Sequence, residues 1–73
     1  MTAADARPLV TIVLPAYNES AVLKDGFLAI DGYLRTLAAQ YRFEYLVIDD
    51  GSADGTAEIA DALAAARTDV SVL

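Results

Sequence analysis

Apolar residues fall along this chain in three short continuous runs, separated by two stretches in which they recur every three or four positions. Leu9-Val10-Thr11-Ile12-Val13-Leu14, β-branched and closed by Pro15, has the pattern of a strand buried on both faces of a parallel sheet. From Ser20 to about Tyr41 the residues Leu23, Phe27, Ile30, Leu34, Leu37 and Tyr41 recur at alternating steps of four and three. This predicts an amphipathic helix, with Lys24, Asp25, Asp31 and Arg35 off its apolar stripe. Gly26 and Gly32 within it each cost about 1 kcal/mol relative to Ala, so the helix depends on tertiary packing. Phe43-Glu44-Tyr45-Leu46-Val47-Ile48 predicts a second buried strand. Ile59, Ala60, Leu63 and Ala64 predict a second helix ending near Arg67, and Val70-Ser71-Val72-Leu73 begins a third strand. A coiled coil is the rival reading of the longer stripe, but strand-like runs on either side oppose it.

Strand, helix, strand, helix, strand at these lengths is an α/β pattern of βαβ units, with parallel strands and right-handed crossovers. Ligands of open parallel sheets bind beyond the carboxyl ends of the strands. Here those ends lead into Pro15-Ala16-Tyr17-Asn18-Glu19 and Asp49-Asp50-Gly51-Ser52-Ala53-Asp54-Gly55-Thr56. Neighbouring parallel strands lie about 4.8 Å apart, so Tyr17 and the Asp49-Asp50 carboxylates would flank one crevice. A tyrosine ring can stack on a nucleobase, and a carboxylate can accept from the N–H edge that uracil and guanine both present. The plainer alternatives are that Tyr17 plugs the end of the sheet and that the two acids shape a turn. In the second loop, Ser52 or Asp54 can cap the following helix, and Glu58 complements its dipole.

Composition narrows the picture. In 73 residues there are no cysteines or histidines, which excludes a disulfide framework and a structural zinc site. The hydrophobic share is 56% and the mean hydropathy +0.39, which excludes a disordered acidic tail. A chain this short buries only about 60% of the surface its unfolded form exposes, so its apolar faces read as part of a larger domain. Residues 1–8 are expected to form a disordered tail and 9–73 a truncated part of such a domain. The net charge is −6, and Arg7, Lys24, Arg35, Arg42 and Arg67 are scattered along the sequence. Neither nucleic acid nor an anionic membrane is the expected partner. No stretch has the length of a signal peptide core or a membrane span, which gives a cytoplasmic expectation and little weight to the sequon Asn18-Glu19-Ser20.

Rival motifs fail on context. Asp50, Ser52, Asp54, Gly55 and Asp61 fall at positions of an EF-hand loop, but a strand rather than a helix precedes them. No glycine lies between Pro15 and Glu19, against a dinucleotide-binding turn, and the Gly-Lys-Ser/Thr of a P-loop is absent. An Asp50-Gly51 hairpin turn lacks a second strand to pair with.

Val10-Thr11-Ile12-Val13-Leu14-Pro15-Ala16-Tyr17-Asn18-Glu19 followed by Val47-Ile48-Asp49-Asp50-Gly51-Ser52-Ala53-Asp54-Gly55-Thr56 strongly resembles glycosyltransferase family 2, from about Leu9 to Leu73. The first motif looks most like that of dolichyl- and polyprenyl-phosphate sugar transferases. The resemblance implies the Rossmann-like, nucleotide-binding half of an A-type glycosyltransferase fold holding UDP or GDP. Pro15, Ala16 and Tyr17 would line the base, Glu19 would lie near the nucleoside, Asp50 would accept from the base edge and Asp49 would support the loop. It further implies a nucleoside-diphosphate sugar donor, a divalent ion (Mg or Mn), and an acceptor that would be a polyprenyl or dolichyl phosphate. Any membrane contact would come through that lipid acceptor or through further regions, at the cytoplasmic face. The family's Asp-x-Asp metal motif, catalytic carboxylate and acceptor-binding half follow the segment matched here, so the 73 residues alone are expected to be inactive. The competing expectation is a non-catalytic half-domain with a structural or interaction role.

Overall fold

The computed structural model describes residues 6–49 and 51–73. The element order is β1 (Leu9–Pro15), α1 (Leu23–Arg35), β2 (Arg42–Ile48), α2 (Thr56–Ala66) and β3 (Val70–Val72). The strands form one parallel sheet in the order β1-β2-β3. Val10 pairs with Phe43, Ile12 with Tyr45 and Leu14 with Val47, while Tyr45 and Val47 pair in turn with Val70 and Val72. The predicted parallel pairing of the first two runs is therefore present, with β1 running one residue further, to Pro15, and β2 starting one residue earlier, at Arg42.

The two strands differ from expectation in being covered on one face only. Residues alternate along β1 between half-buried and exposed, with Leu9 and Val13 about half exposed. The reason is topological. Both crossovers advance the same way across the sheet, and right-handed crossovers in one direction stack their helices on one side. Val10, Ile12, Leu14, Phe43, Tyr45, Val47, Val70 and Val72 occupy that side by register, and Leu9, Val13, Leu46 and Ile48 the other.

Between sheet and helices lies the core: Leu23 and Phe27 from α1, Tyr45 and Val47 from β2, Ala60 from α2, Val70 from β3 and Ala16 just past β1. Ile30, Leu34, Ile59, Leu63 and Ala64 pack around it, so the apolar stripes of both helices point inward as their spacing predicts. The first helix is shorter than predicted. It starts at Leu23, whose N–H donates to the Glu19 carbonyl at 2.8 Å, and regular winding stops at Arg35. Beyond it, Thr36 and Leu37 donate to the carbonyls three residues back, the tighter pattern common at helix ends. This turn carries the chain to Tyr41 and into β2.

Asp31 is the clearest departure. The stripe reading left it off the apolar face, yet it is 7% exposed. Its carboxylate accepts from Arg67 Nη2 at 3.1 Å, Arg35 Nε at 2.9 Å and the Tyr45 hydroxyl at 2.9 Å. Arg67 also grips Asp69 through Nε at 2.9 Å and Nη2 at 2.7 Å, and its guanidinium lies 5.0 Å from the Phe27 ring centroid. This cluster ties α1, β2 and the start of β3 together beneath the helices.

The basic residues, scattered in sequence, are not scattered in space. Arg7, Arg35, Arg42 and Arg67 line one open groove at the amino ends of the strands. Among the described residues no helix is long and apolar enough to cross a membrane.

Candidate functional site

Both motif loops leave the carboxyl ends of adjacent strands. The Ala16 N–H continues the ladder by donating to the Ile48 carbonyl at 2.8 Å. Beyond this point the loops are joined by their own side chains. The Asn18 N–H donates to Ser52 Oγ at 2.9 Å, and Asn18 Oδ1 accepts from the Ala53 N–H at 2.9 Å. The Glu19 N–H donates to Thr56 Oγ1 at 2.8 Å, and Ser20 donates to Asp54 Oδ2 through its N–H at 3.1 Å and its hydroxyl at 2.7 Å. Each of these bonds joins a residue of the first loop to one of the second, so three consecutive residues of one loop meet four residues of the other.

Local backbone chemistry permits the fit. Asn18 sits at φ +51° and Gly51 at φ +75°, the left-handed region that Asn and Gly tolerate best. Asn18 in that conformation aims its N–H and its amide oxygen at the second loop together. Thr56, fully buried, opens α2 while its hydroxyl accepts from Glu19 and donates to Asp54. The Asp54 carboxylate also accepts from the Thr56 N–H at 3.1 Å, serving the helix start as expected. These hydrogen bonds, first from the Thr56 hydroxyl and then from the Ser20 hydroxyl, lower its pKa to about 2.

Ser52 does not cap the helix. Its hydroxyl donates to Asp49 Oδ1 and accepts from Asn18, and it lies 3.4 Å from the Ala16 carbonyl. It is a strut between the loops, with its hydroxyl placed between Asp49 of the second loop and Asn18 of the first. Ser52→Ala should accordingly leave helix content unchanged but expose the Asn18 N–H, costing about 1 kcal/mol. Amide hydrogen exchange would show this as faster exchange at Asn18 and Ala53 with little change at Ala60.

The residues singled out in the sequence are placed as follows. Pro15 ends β1 opposite Ile48. The Ala16 side chain is buried in the core, so only its backbone is available at the surface of the loops. Tyr17 is 60% exposed beside the tied loops, against the reading of a sheet-end plug. Glu19 is exposed and Asp49 half-buried, bonded to Ser52. Asp50 lies outside the described residues. Sequence reasoning missed Asn18, Ser20 and Thr56 as loop ties, although a polar Asn-x-Ser opposite Ser-x-Asp-x-Thr was a signal for paired side-chain to backbone bonds.

The residues of glycosyl transferase family 2 match this chain over positions 11–73. The chain belongs to glycosyl transferase family 2. Among individual proteins of the family it is similar to the glycosyltransferase AglD of Haloferax volcanii, 41% identical over 56 residues, covering 77% of this chain and 9% of that protein. Glycosyltransferase AglE of the same organism is 32% identical over 66 residues, 90% of this chain and 21% of its own length. The undecaprenyl-phosphate 4-deoxy-4-formamido-L-arabinose transferase of Pseudomonas paraeruginosa is 39% identical over 56 residues, 77% of this chain and 16% of that one. The chain thus spans about a fifth or less of the length of these curated relatives. No solved structure matches it significantly. The α/β half-domain expected for the family is present as the three-stranded parallel sheet and its two helices.

The family also implies a divalent ion. Among the described residues no group of three or more Asp, Glu, His or Cys is placed to hold a metal, and the loop carboxylates Asp49 and Asp54 are turned to hydroxyl groups. These residues do not make up a ligand set for such an ion.

Proposed function

We propose that the crevice between the two tied loops grips the nucleoside of a nucleoside-diphosphate sugar, in a protein that transfers the sugar to an acceptor. The observation that carries this reading is the set of hydrogen bonds between Asn18, Glu19 and Ser20 on one loop and Ser52, Ala53, Asp54 and Thr56 on the other. These bonds hold the loops rigid beside an exposed Tyr17 ring before any ligand arrives, and preorganisation of this kind reduces the ordering cost of binding. Tyr17 stacks on the base, Asp50 accepts from its N–H edge, and Asp49 steadies the second loop through Ser52. Pro15 and the Ala16 backbone border the base, with Glu19 nearer the nucleoside. Family membership and the transferase names of the relatives support the reaction class. The undecaprenyl phosphate named for the Pseudomonas relative supports a polyprenyl phosphate as acceptor.

Titration calorimetry with UDP and GDP tests the assignment. Loss of a stacked ring in Tyr17→Ala should cost about 1–3 kcal/mol. Asp50→Asn, which replaces a carboxylate acceptor with an amide, should cost about 1.5–3 kcal/mol. These costs correspond to losses of affinity of about fivefold or more for Tyr17→Ala and about tenfold or more for Asp50→Asn. Undiminished affinity in both variants would remove the nucleoside from this crevice.

A further inference from the structure

One side of the β1 backbone is unused by the sheet. The Arg42 N–H donates to the Pro8 carbonyl and the Ala16 N–H to the Ile48 carbonyl, both at 2.8 Å, so Val10, Ile12 and Leu14 turn their N–H and C=O groups to β2. Those of Leu9, Thr11 and Val13 point off the edge, where the sheet order places no strand among the described residues. Edge strands of soluble proteins are usually short, charged, or broken by proline or a bulge. β3 fits that description with three residues. β1 does not: it runs for seven residues, Leu9–Pro15, without a charge and with its one proline at the last position. Val10, Thr11, Ile12 and Val13 are all β-branched, which favours extended pairing.

A second copy of the chain fits this edge. A two-fold axis standing on the sheet at Ile12 sets the two strands antiparallel, with Thr11 opposite Val13 and Leu9 opposite Pro15. All four carry their free groups outward, so Leu9, Thr11 and Val13 donate to the carbonyls of Pro15, Val13 and Thr11 of the second copy, a self-complementary pairing. Val10 then faces Leu14 and Ile12 faces its own counterpart, and no charge lies in any cross-strand pair. That matters between two chains of net charge −6, which otherwise repel. The helix layer continues the match. α1 overlies β1 and β2, with Phe27 against Tyr45 and a groove of about 130 Å³ beside Leu14 and Pro15. The axis therefore sets the two α1 helices side by side about 10 Å apart, the spacing of packed helices. Val22 and Gly26 line the groove on that side, and Ala29 and Tyr33 continue their row along the helix, all four exposed and uncharged. A Cβ added at Gly26 would meet nothing within 4 Å, so a neighbouring helix has room to approach. The face is about 23 Å long and about 20 Å deep through one sheet and one helix layer, so two copies bury roughly 900 Å² between them, the size of a weak, reversible interface.

We propose that β1 is a dimerisation edge, through which two copies of this chain join their three-stranded sheets into one continuous sheet. Sedimentation equilibrium of the 73-residue protein between about 10 μM and about 1 mM should show the mass rise from 7.7 kDa toward twice that value. Val13→Pro removes a donor that β2 does not use and should weaken the dimer about tenfold or more. Val72→Pro is the matched control on the opposite edge. The Leu73 N–H bonds to Val47, so that of Val72 points away from β2, and this variant should leave the association constant unchanged. Should Val13→Pro fail to fold, amide hydrogen exchange in the unaltered protein reads the same edge. As the protein is concentrated, exchange at Leu9, Thr11 and Val13 should slow together, while Val10 and Ile12, already bonded to β2, keep their rates. A monomer throughout the range, a dimer that Val13→Pro leaves intact or Val72→Pro weakens equally, or unchanged exchange at Leu9, Thr11 and Val13 would overturn the proposal.

Discussion

Asp31→Ala should remove a quarter or more of the stability of this fold, by the figures of about 3–5 kcal/mol for a broken buried pair and about 4–11 kcal/mol for a domain of this length. The carboxylate is the common acceptor for Arg67, Arg35 and the Tyr45 hydroxyl, and breaking a buried pair by removing one partner costs about 3–5 kcal/mol. A domain of this length has only about 4–11 kcal/mol in total. Arg35 is exposed and loses little, so the cost comes from Arg67, three-quarters buried at its side chain, and from Tyr45, which is 2% exposed. Urea unfolding followed by circular dichroism should show the midpoint fall by about a quarter or more. A midpoint within a tenth of the original would mean that water replaces the carboxylate without penalty.

The same cluster sets the pH dependence. The hydrogen bond from Arg67, and after it those from Arg35 and Tyr45, outweigh burial and hold the Asp31 carboxyl well below the usual carboxylate range. Arg67 likewise lowers Asp69. Groups with depressed folded pKa values contribute stability that is complete above their unfolded value, about 3.9, and is lost as the pH falls below it. Burial, with Asp31 adding to it, pushes the Tyr45 phenol up to about 12. The unfolded phenol ionises near pH 10, so stability should fall again as the pH rises from about 10 to 12. In Asp31→Asn the acid limb should shrink.

Phe27→Ala should be comparably severe, at about 3–5 kcal/mol. The ring is 1% exposed and meets Tyr45 edge-on, with centroids 4.7 Å apart and planes at 65°. It also forms the apolar floor under the Arg67 guanidinium. Its loss leaves a cavity and opens the Asp31–Arg67 pair to water, so the effects of Phe27→Ala and Asp31→Ala should not add. A double-mutant cycle by urea unfolding checks this, with Phe27→Leu as the milder partner in which both variants remain folded enough to measure. Strict additivity would separate the core from the ion cluster.

Much of this was legible beforehand. Continuous β-branched runs marked the strands, and the step of four and three through Leu23, Phe27, Ile30 and Leu34 marked the first helix. Asp31 was misread because charge was taken to mean solvent, although four residues after Phe27 it shares that residue's face of the helix. A periodic pattern assigns positions to a face, and only the partners available there decide whether a charge can be buried. Arg67, supplied from beyond the second helix, made it possible. Ser52 was misread similarly: its place before a helix fits a cap, but the left-handed turns at Asn18 and Gly51 direct it across to the other loop.

By itself the sequence determined the element order, the parallel pairing, the inward stripes of the helices and the two loops at the carboxyl ends of the strands. These follow from local periodicity and from the handedness of βαβ crossovers, which need no knowledge of distant contacts. The tertiary structure alone decided that both helices share one face, that Asn18 and Ser52 tie the loops, that Asp31 meets Arg67, and that four separated arginines share a groove. Each of these joins residues more than 30 positions apart in at least one pairing, and such proximity depends on how the strands register rather than on any pattern within a segment.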